Sequence, residues 1–150
     1  MLSLAELRRA AAWLDRARRG ARLDKIVQTE GGELALQLAG SEALPPGDRL
    51  NLLLCARPGV ARVSAVAKLP GAPDTPPQLA QWLRAHLDGA RLRGVALEGA
   101  DRQLRLRFET REERASVLLS LLGPRSNVYA IGAVKRIDVA PRAAQQRLCA

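Results

Sequence analysis

Few residues in this chain could carry out chemistry. His86 is the only histidine. It falls among Leu79, Trp82, Leu83 and Leu87 at helical spacing, which suits a half-buried packing residue better than a general base. The two cysteines, Cys55 and Cys149, stand too far apart for metal-ligand spacing, and they read as free thiols in a reducing cytoplasm. No serine or cysteine has a paired base nearby, and no carboxylate cluster suggests a metal. No Gly-rich loop leads from a strand into a helix. Asp15, Asp24, Glu30 and Glu33 are spaced like surface charges. The expectation is a chain that is not an enzyme and holds neither cofactor nor metal.

Arginine is the exception. The formal charge is +9, and Lys25, Lys68 and Lys135 are the only lysines among 24 basic residues. A guanidinium is weakly hydrated and presents a planar fork matched to phosphate, so an anionic partner is expected, nucleic acid first. GC-biased codon usage would give the same arginine content with a merely solvated surface.

These residues must be held by elements that the periodicity outlines. Leu4, Leu7, Ala11 and Leu14 recur at helical spacing, with Ser3 as N-cap, Glu6 as its capping-box partner and Gly20 as the stop. Residues 22–29 and 33–38 then form a hairpin about the Glu-Gly-Gly turn. Residues 49–56 and 60–66 form another about Pro-Gly. A Pro-rich loop, 69–77, leads into a helix begun by Pro77 and ended by Gly89. Strands follow at 91–98, 103–108, 116–122, 128–131 and 134–139, then a polar tail. Aromatics make up 3% of the chain, so the core must be Leu, Val, Ile and Ala.

The same order is used twice. Trp13 and Trp82, both followed by leucine, lie 69 positions apart, as do the tetrads Gly20-Ala21-Arg22-Leu23 and Gly89-Ala90-Arg91-Leu92. Residues 52–66 also align with 117–131 with every strand position apolar. Each half, about 1–68 and 69–140, reads helix, hairpin, hairpin. Neither could bury its sheet face alone. The expected fold is therefore α+β: two duplicated units about a pseudo-twofold, forming a β-sandwich capped by two helices. The amphipathic, Arg-rich start could pass for a transit peptide, but its twin at Trp82 stands mid-chain, so it is read as structure. No run is long and apolar enough to span a bilayer.

Duplication predicts sameness, so departures from it point to function. The first hairpin turns through Glu-Gly-Gly, the second through a longer loop with Asp101 and Arg102 at its tip. The Pro-Gly-Val turn of the first half becomes Gly123-Pro124-Arg125-Ser126-Asn127. An arginine beside an acid at a turn can present its fork in a fixed direction; an ordinary Asx-type turn with a solvated arginine is the simpler alternative. For the second turn, Gly, Pro and Asn are explained by tight geometry alone.

These segments carry a resemblance. The Pro-rich loop into Leu83-Arg84-Ala85-His86-Leu87, the Asp101-Arg102 turn, and Gly123 with Ser126-Asn127 together resemble the N-terminal domain of the NFACT family. That family contains ribosome-associated quality control factors and proteins labelled fibronectin-binding protein A-like. The resemblance spans essentially the whole chain. It implies a fold similar to the N-terminal domain of formamidopyrimidine-DNA glycosylases, and a role in contacting tRNA on stalled large ribosomal subunits during alanine tailing of nascent chains. It assigns tRNA contacts to Asp101 and Arg102, with Glu6 in the place of an acidic residue implicated in tailing. Arg84, His86, Arg91, Arg125, Ser126 and Asn127 complete the expected surface. Ala85 and Pro124 stand where the family usually has basic residues, which thins that surface. Family members also carry downstream domains, expected here to be absent. The glycosylase chemistry is not implied, because the chain begins Met1-Leu2-Ser3 rather than with a nucleophilic proline. Two rival readings are a DNA-binding relative of the glycosylase fold and a protein-interaction module.

Overall fold

A computed structural model describes residues 3–57, 59–98, 102–121, 126–132 and 145–147. Helix α1 spans Leu4–Arg18, and its start is the expected capping box. The Ser3 hydroxyl accepts the Glu6 N–H at 3.1 Å, and the Glu6 carboxylate accepts the Ser3 N–H at 3.3 Å. Gly20, at φ +89°, turns the chain out of the helix, a conformation that costs a side-chain-bearing residue. Helix α2 spans Gln78–Leu87, with Pro77 in the N-cap position.

The first half contributes β1 (Arg22–Gln28), β2 (Glu33–Ala39), β3 (Arg49–Cys55) and β4 (Arg62–Val66). The second contributes β5 (Arg91–Leu97), β6 (Gln103–Glu109), β7 (Arg114–Ser120) and β8 (Asn127–Gly132). A short β9, Gln145–Arg147, adds to the edge. The order is β4-β3-β2-β1-β5-β6-β7-β8-β9, antiparallel throughout. The two halves share one register. Lys25, Gln37, Asn51 and Val66 lie in a row across the first, and Gly94, Arg107, Ser116 and Ile131 occupy the equivalent row in the second. Even the irregularities match, between Leu23 and Lys25 in β1 and between Leu92 and Gly94 in β5.

The two halves of the sandwich are thus one continuous sheet, joined where Arg22 of β1 meets Arg91 of β5. The repeated tetrads form this seam. Gly20 N–H donates to the Leu92 carbonyl at 2.8 Å and Gly89 N–H to the Leu23 carbonyl at 3.0 Å. Leu23 N–H donates to Ala90 and Leu92 N–H to Ala21, both at 2.8 Å. The tetrad recurs because each copy binds the other across the pseudo-twofold.

The sheet curls until β3 approaches β8, and the helices cross over, α1 packing on β5 and α2 on β1. One apolar cluster results, containing Leu7 and Leu14 of α1, Leu83 and Leu87 of α2, and Leu36, Leu54, Leu106 and Val117 from the strands. Phe108, the chain's one phenylalanine, is buried within it.

Most strand bounds shift by a residue or two from the sequence reading, and three departures have a clear physical cause. β7 starts at Arg114, before the expected 116, because Glu109 and Arg114 pair to close a turn in which the Thr110 hydroxyl accepts the Glu112 and Glu113 N–H groups. β4 starts at Arg62, since Val60 N–H is held in a turn by the Arg57 carbonyl. β9 lies in the expected polar tail: an edge strand pairs through backbone groups and needs no apolar pattern. The strand expected at 134–139 falls outside the described residues.

Candidate nucleic-acid interface

Beyond the Arg22–Arg91 bridge, β1 and β5 diverge and leave backbone groups without a strand partner, which burial would make costly. The crossed helices fill them at equivalent positions. Asp15 of α1 accepts the Val95 N–H of β5 at 2.9 Å. Arg84 of α2, 69 positions on, donates Nε and Nη2 to the Ile26 carbonyl of β1 at 3.1 and 2.6 Å. The Val95 N–H, and after it the Arg19 guanidinium, hold the Asp15 carboxyl below the usual carboxylate range against partial desolvation. Gln28 of β1 adds a long-range cap, its Oε1 accepting the Ala80 N–H at the start of α2 at 3.0 Å. Proline at the N-cap has no side-chain acceptor, so the other half supplies one.

With this frame in place, the expected site residues separate into groups. Arg102 is exposed at the start of β6, and its carbonyl accepts the Leu121 N–H at 2.8 Å. Gln103, Ser120 and Asn127 follow in one row across β6, β7 and β8, tied by Gln103 Nε2 to Ser120 Oγ at 3.2 Å. The start of β6, the end of β7 and the start of β8 therefore lie side by side at one end of the second half. Ser126 is half-buried there. Asn127 is wholly buried, and its Oδ1 accepts the Val128 N–H at 2.9 Å, so it shapes the turn from within. Asp101 and Arg125 lie outside the described residues, as do Gly123, Pro124 and Cys149.

The remaining candidates sit elsewhere. His86 stacks on Trp82 with ring centroids 4.3 Å apart, and its Nδ1 lies 2.9 Å from Glu113 Oε1. Glu113 belongs to the β6–β7 turn, at the opposite end of the sheet from Arg102. Arg84 is occupied by Ile26. Arg91 is exposed on the seam, its Nη1 donating to the Gly20 carbonyl at 3.3 Å. Glu6, exposed at the start of α1, is held below the usual carboxylate range by the Ser3 hydroxyl and N–H.

Sequence reasoning missed one strongly basic feature of the described surface. Arg93, Arg105, Arg107 and Arg114 line a pocket of about 330 Å³ on the outer face of β5–β8, with Glu109, Ser116 and Ile131. The signal was present in β6, where arginine fills the positions between the core-facing Leu104, Leu106 and Phe108. Alternation by itself marks only a strand, and pairing with β5 and β7 turns it into a basic surface. Among the described residues no group of three or more His, Cys, Asp or Glu side chains could hold a metal, and no helix is long and apolar enough to cross a membrane. Cys55 is a free, buried thiol.

The family model for NFACT N-terminal and middle domains matches residues 4–139. No curated protein matches the chain. Among solved structures, it is similar to the N-terminal domain of the fibronectin-binding protein PavA from Streptococcus pneumoniae, at TM-score 0.72 and 21% identity, covering 86% of this chain and 49% of that one. The N-terminal part of the fibronectin/fibrinogen-binding protein from Streptococcus suis gives TM-score 0.72 and 22% identity, over 85% and 48%. The fibrinogen binding protein from Staphylococcus aureus gives 0.68 and 20%, over 87% and 45%. The chain thus spans about half the length of the solved structures it matches, and these likenesses establish the fold.

Proposed function

The chain belongs to the family of NFACT N-terminal and middle domains, and on that footing we propose that it is a non-enzymatic RNA-binding domain that meets tRNA on stalled large ribosomal subunits. The process would be the quality control that tails nascent chains with alanine. One observation carries the reading. Arg102 and Ser126, which border the two turns that break the internal duplication, adjoin at one end of the second half, and the same strands carry an arginine-lined concavity toward their other end. Arg102, set beside Asp101, would make the oriented contact, and neighbouring arginines would meet phosphates. The large subunit and, in members that carry them, the downstream domains are the further partners of this reading.

A second reading is a protein-interaction module. It is favoured by the description of the similar structures as fibronectin- or fibrinogen-binding.

The test is a salt-series titration of the chain with bulk deacylated tRNA, beside duplex DNA, immobilised fibronectin and an Asp101→Ala, Arg102→Ala variant. Preference for tRNA, with the variant weaker by about 1–3 kcal/mol, supports recognition through the turn. Equal binding of both nucleic acids, unaffected by the variant, reduces the charge to a nonspecific attractant and refutes the reading. Fibronectin binding without tRNA binding favours the second.

A further inference from the structure

We infer that the arginine pocket on the outer face of β5–β8 holds a backbone phosphate of the bound RNA. The inference rests on the RNA-binding reading above and deepens it.

The internal duplication supplies the control. The same register in the first half puts Asp24 where the second has Arg93, Lys25 where it has Gly94, Ala35 for Arg105 and Gln37 for Arg107. The fold therefore forms without this cluster, and three of its four arginines are additions to the common plan. Arg114 is the exception, matching Arg49.

Gly94 is the sharpest sign. Its φ is not positive, so the backbone does not demand glycine there. What the position lacks is room, because a side chain on residue 94 would collide with the Arg107 guanidinium. Glycine at this point lets Arg107 lie down across the sheet.

Charge balance points the same way. Arg107 forms no ion pair among the described residues, although its field reaches Asp15. Arg93 and Arg114 share one carboxylate, Glu109, at 3.9 and 3.2 Å. Arg105 is paired to Glu98 at the pocket's margin. Four guanidiniums converge on a concavity lined by a single acid, Glu109, and an anion relieves that repulsion. The volume of about 330 Å³ has room for a phosphate group together with its flanking sugar atoms, with Ser116 on the floor as a hydroxyl donor and Ile131 as an apolar wall. Arg105 and Arg107, two positions apart on β6, put their side chains on one face at about 6.8 Å spacing.

The experiment uses the chain with bulk deacylated tRNA between about 50 and 200 mM salt. The first variant, Arg105→Ala with Arg107→Gln, installs the first-half residues that the same sheet already accommodates. Its control, Arg8→Gln with Arg9→Gln, removes equal charge from the exposed face of α1. The pocket variant should flatten the salt dependence by up to about 1.4 in slope and weaken binding well beyond the control. Gly94→Lys adds a positive charge, yet it should weaken binding, because it displaces the flexible end of Arg107. Circular dichroism verifies that each variant folds.

If the pocket variant matches its control and Gly94→Lys binds tighter, charge alone operates and the pocket is not a site, while tRNA binding by the chain stands. If the unmodified chain does not bind tRNA at low salt, the RNA reading and this inference fall together.

Discussion

Asp15→Ala tests whether the crossed helices are latched as the structure indicates. The Asp15 carboxylate accepts the Val95 N–H at 2.9 Å and the Arg19 Nη2 at 2.5 Å. The Arg19 contact is an i,i+4 surface pair worth about 0.3–0.5 kcal/mol. The Val95 N–H is part-buried on the diverging edge of β5, and leaving it unpaired costs about 1–3 kcal/mol. The expected loss is about 2 kcal/mol, which lowers Tm by about 4–8 °C in a chain of this length. Asp15→Asn keeps an acceptor for Val95 and should recover more than half of the loss. Equilibrium urea unfolding is the assay, followed through Trp13 and Trp82, one on each helix. The pH dependence has a definite sign. The folded-state pKa lies below its ordinary value of 3.8, chiefly because of the Val95 N–H. The charge-dependent stability is then complete above that value and disappears as pH falls through the folded pKa. The advantage over Asp15→Asn should therefore be full at pH 7 and shrink below about pH 4. Wild-type stability in Asp15→Ala, within about 0.5 kcal/mol, would refute the latch.

Two other perturbations use the same denaturant assay. Gly20→Ala and Gly89→Ala each force a left-handed conformation, at φ +89° and +75°, costing about 1–2 kcal/mol. Gly20→Ala should be the worse, because its Cβ would sit 2.8 Å from Glu42 Cγ, whereas nothing lies within 4 Å at Gly89; equal losses would show that the Glu42 contact yields freely. Arg18→Met should cost about 2 kcal/mol or more, since the buried guanidinium donates to the Gly40 carbonyl at 3.3 Å and to Asp48 at 2.7 and 3.0 Å. Hydrogen exchange at Gly40, whose N–H donates to Asp48, should quicken before the adjoining β2 responds, and unchanged exchange there would count against the anchor.

Much of the architecture was legible in local pattern. The Ser3–Glu6 box, the glycine stops, the alternation of β6 and the equivalence of the two halves all follow from spacings of a few residues, or from direct self-comparison of the chain. The departures at Arg102 and Ser126 were legible for the same reason. What escaped were features assembled across distance. The start of α2 is capped by Gln28, 52 positions away, and the arginine pocket draws on neighbouring strands whose residues look ordinary one strand at a time. The β9 pairing escaped because backbone groups make it, whatever the side chains.

By itself, then, the sequence determined the duplication, the order of elements and the face each strand turns to the core, because 3.6- and 2-residue periods are properties of the local backbone. Only the tertiary structure decided which helix covers which half. An apolar stripe fits its own sheet or its twin's equally well, and the choice is made by the tetrads binding each other at the seam and by Asp15 and Arg84 reaching backbone 80 and 58 residues away. The pairing of β5, β6 and β7 likewise brought Arg93, Arg105, Arg107 and Arg114 around one concavity, where charge scattered along a line becomes a single basic surface.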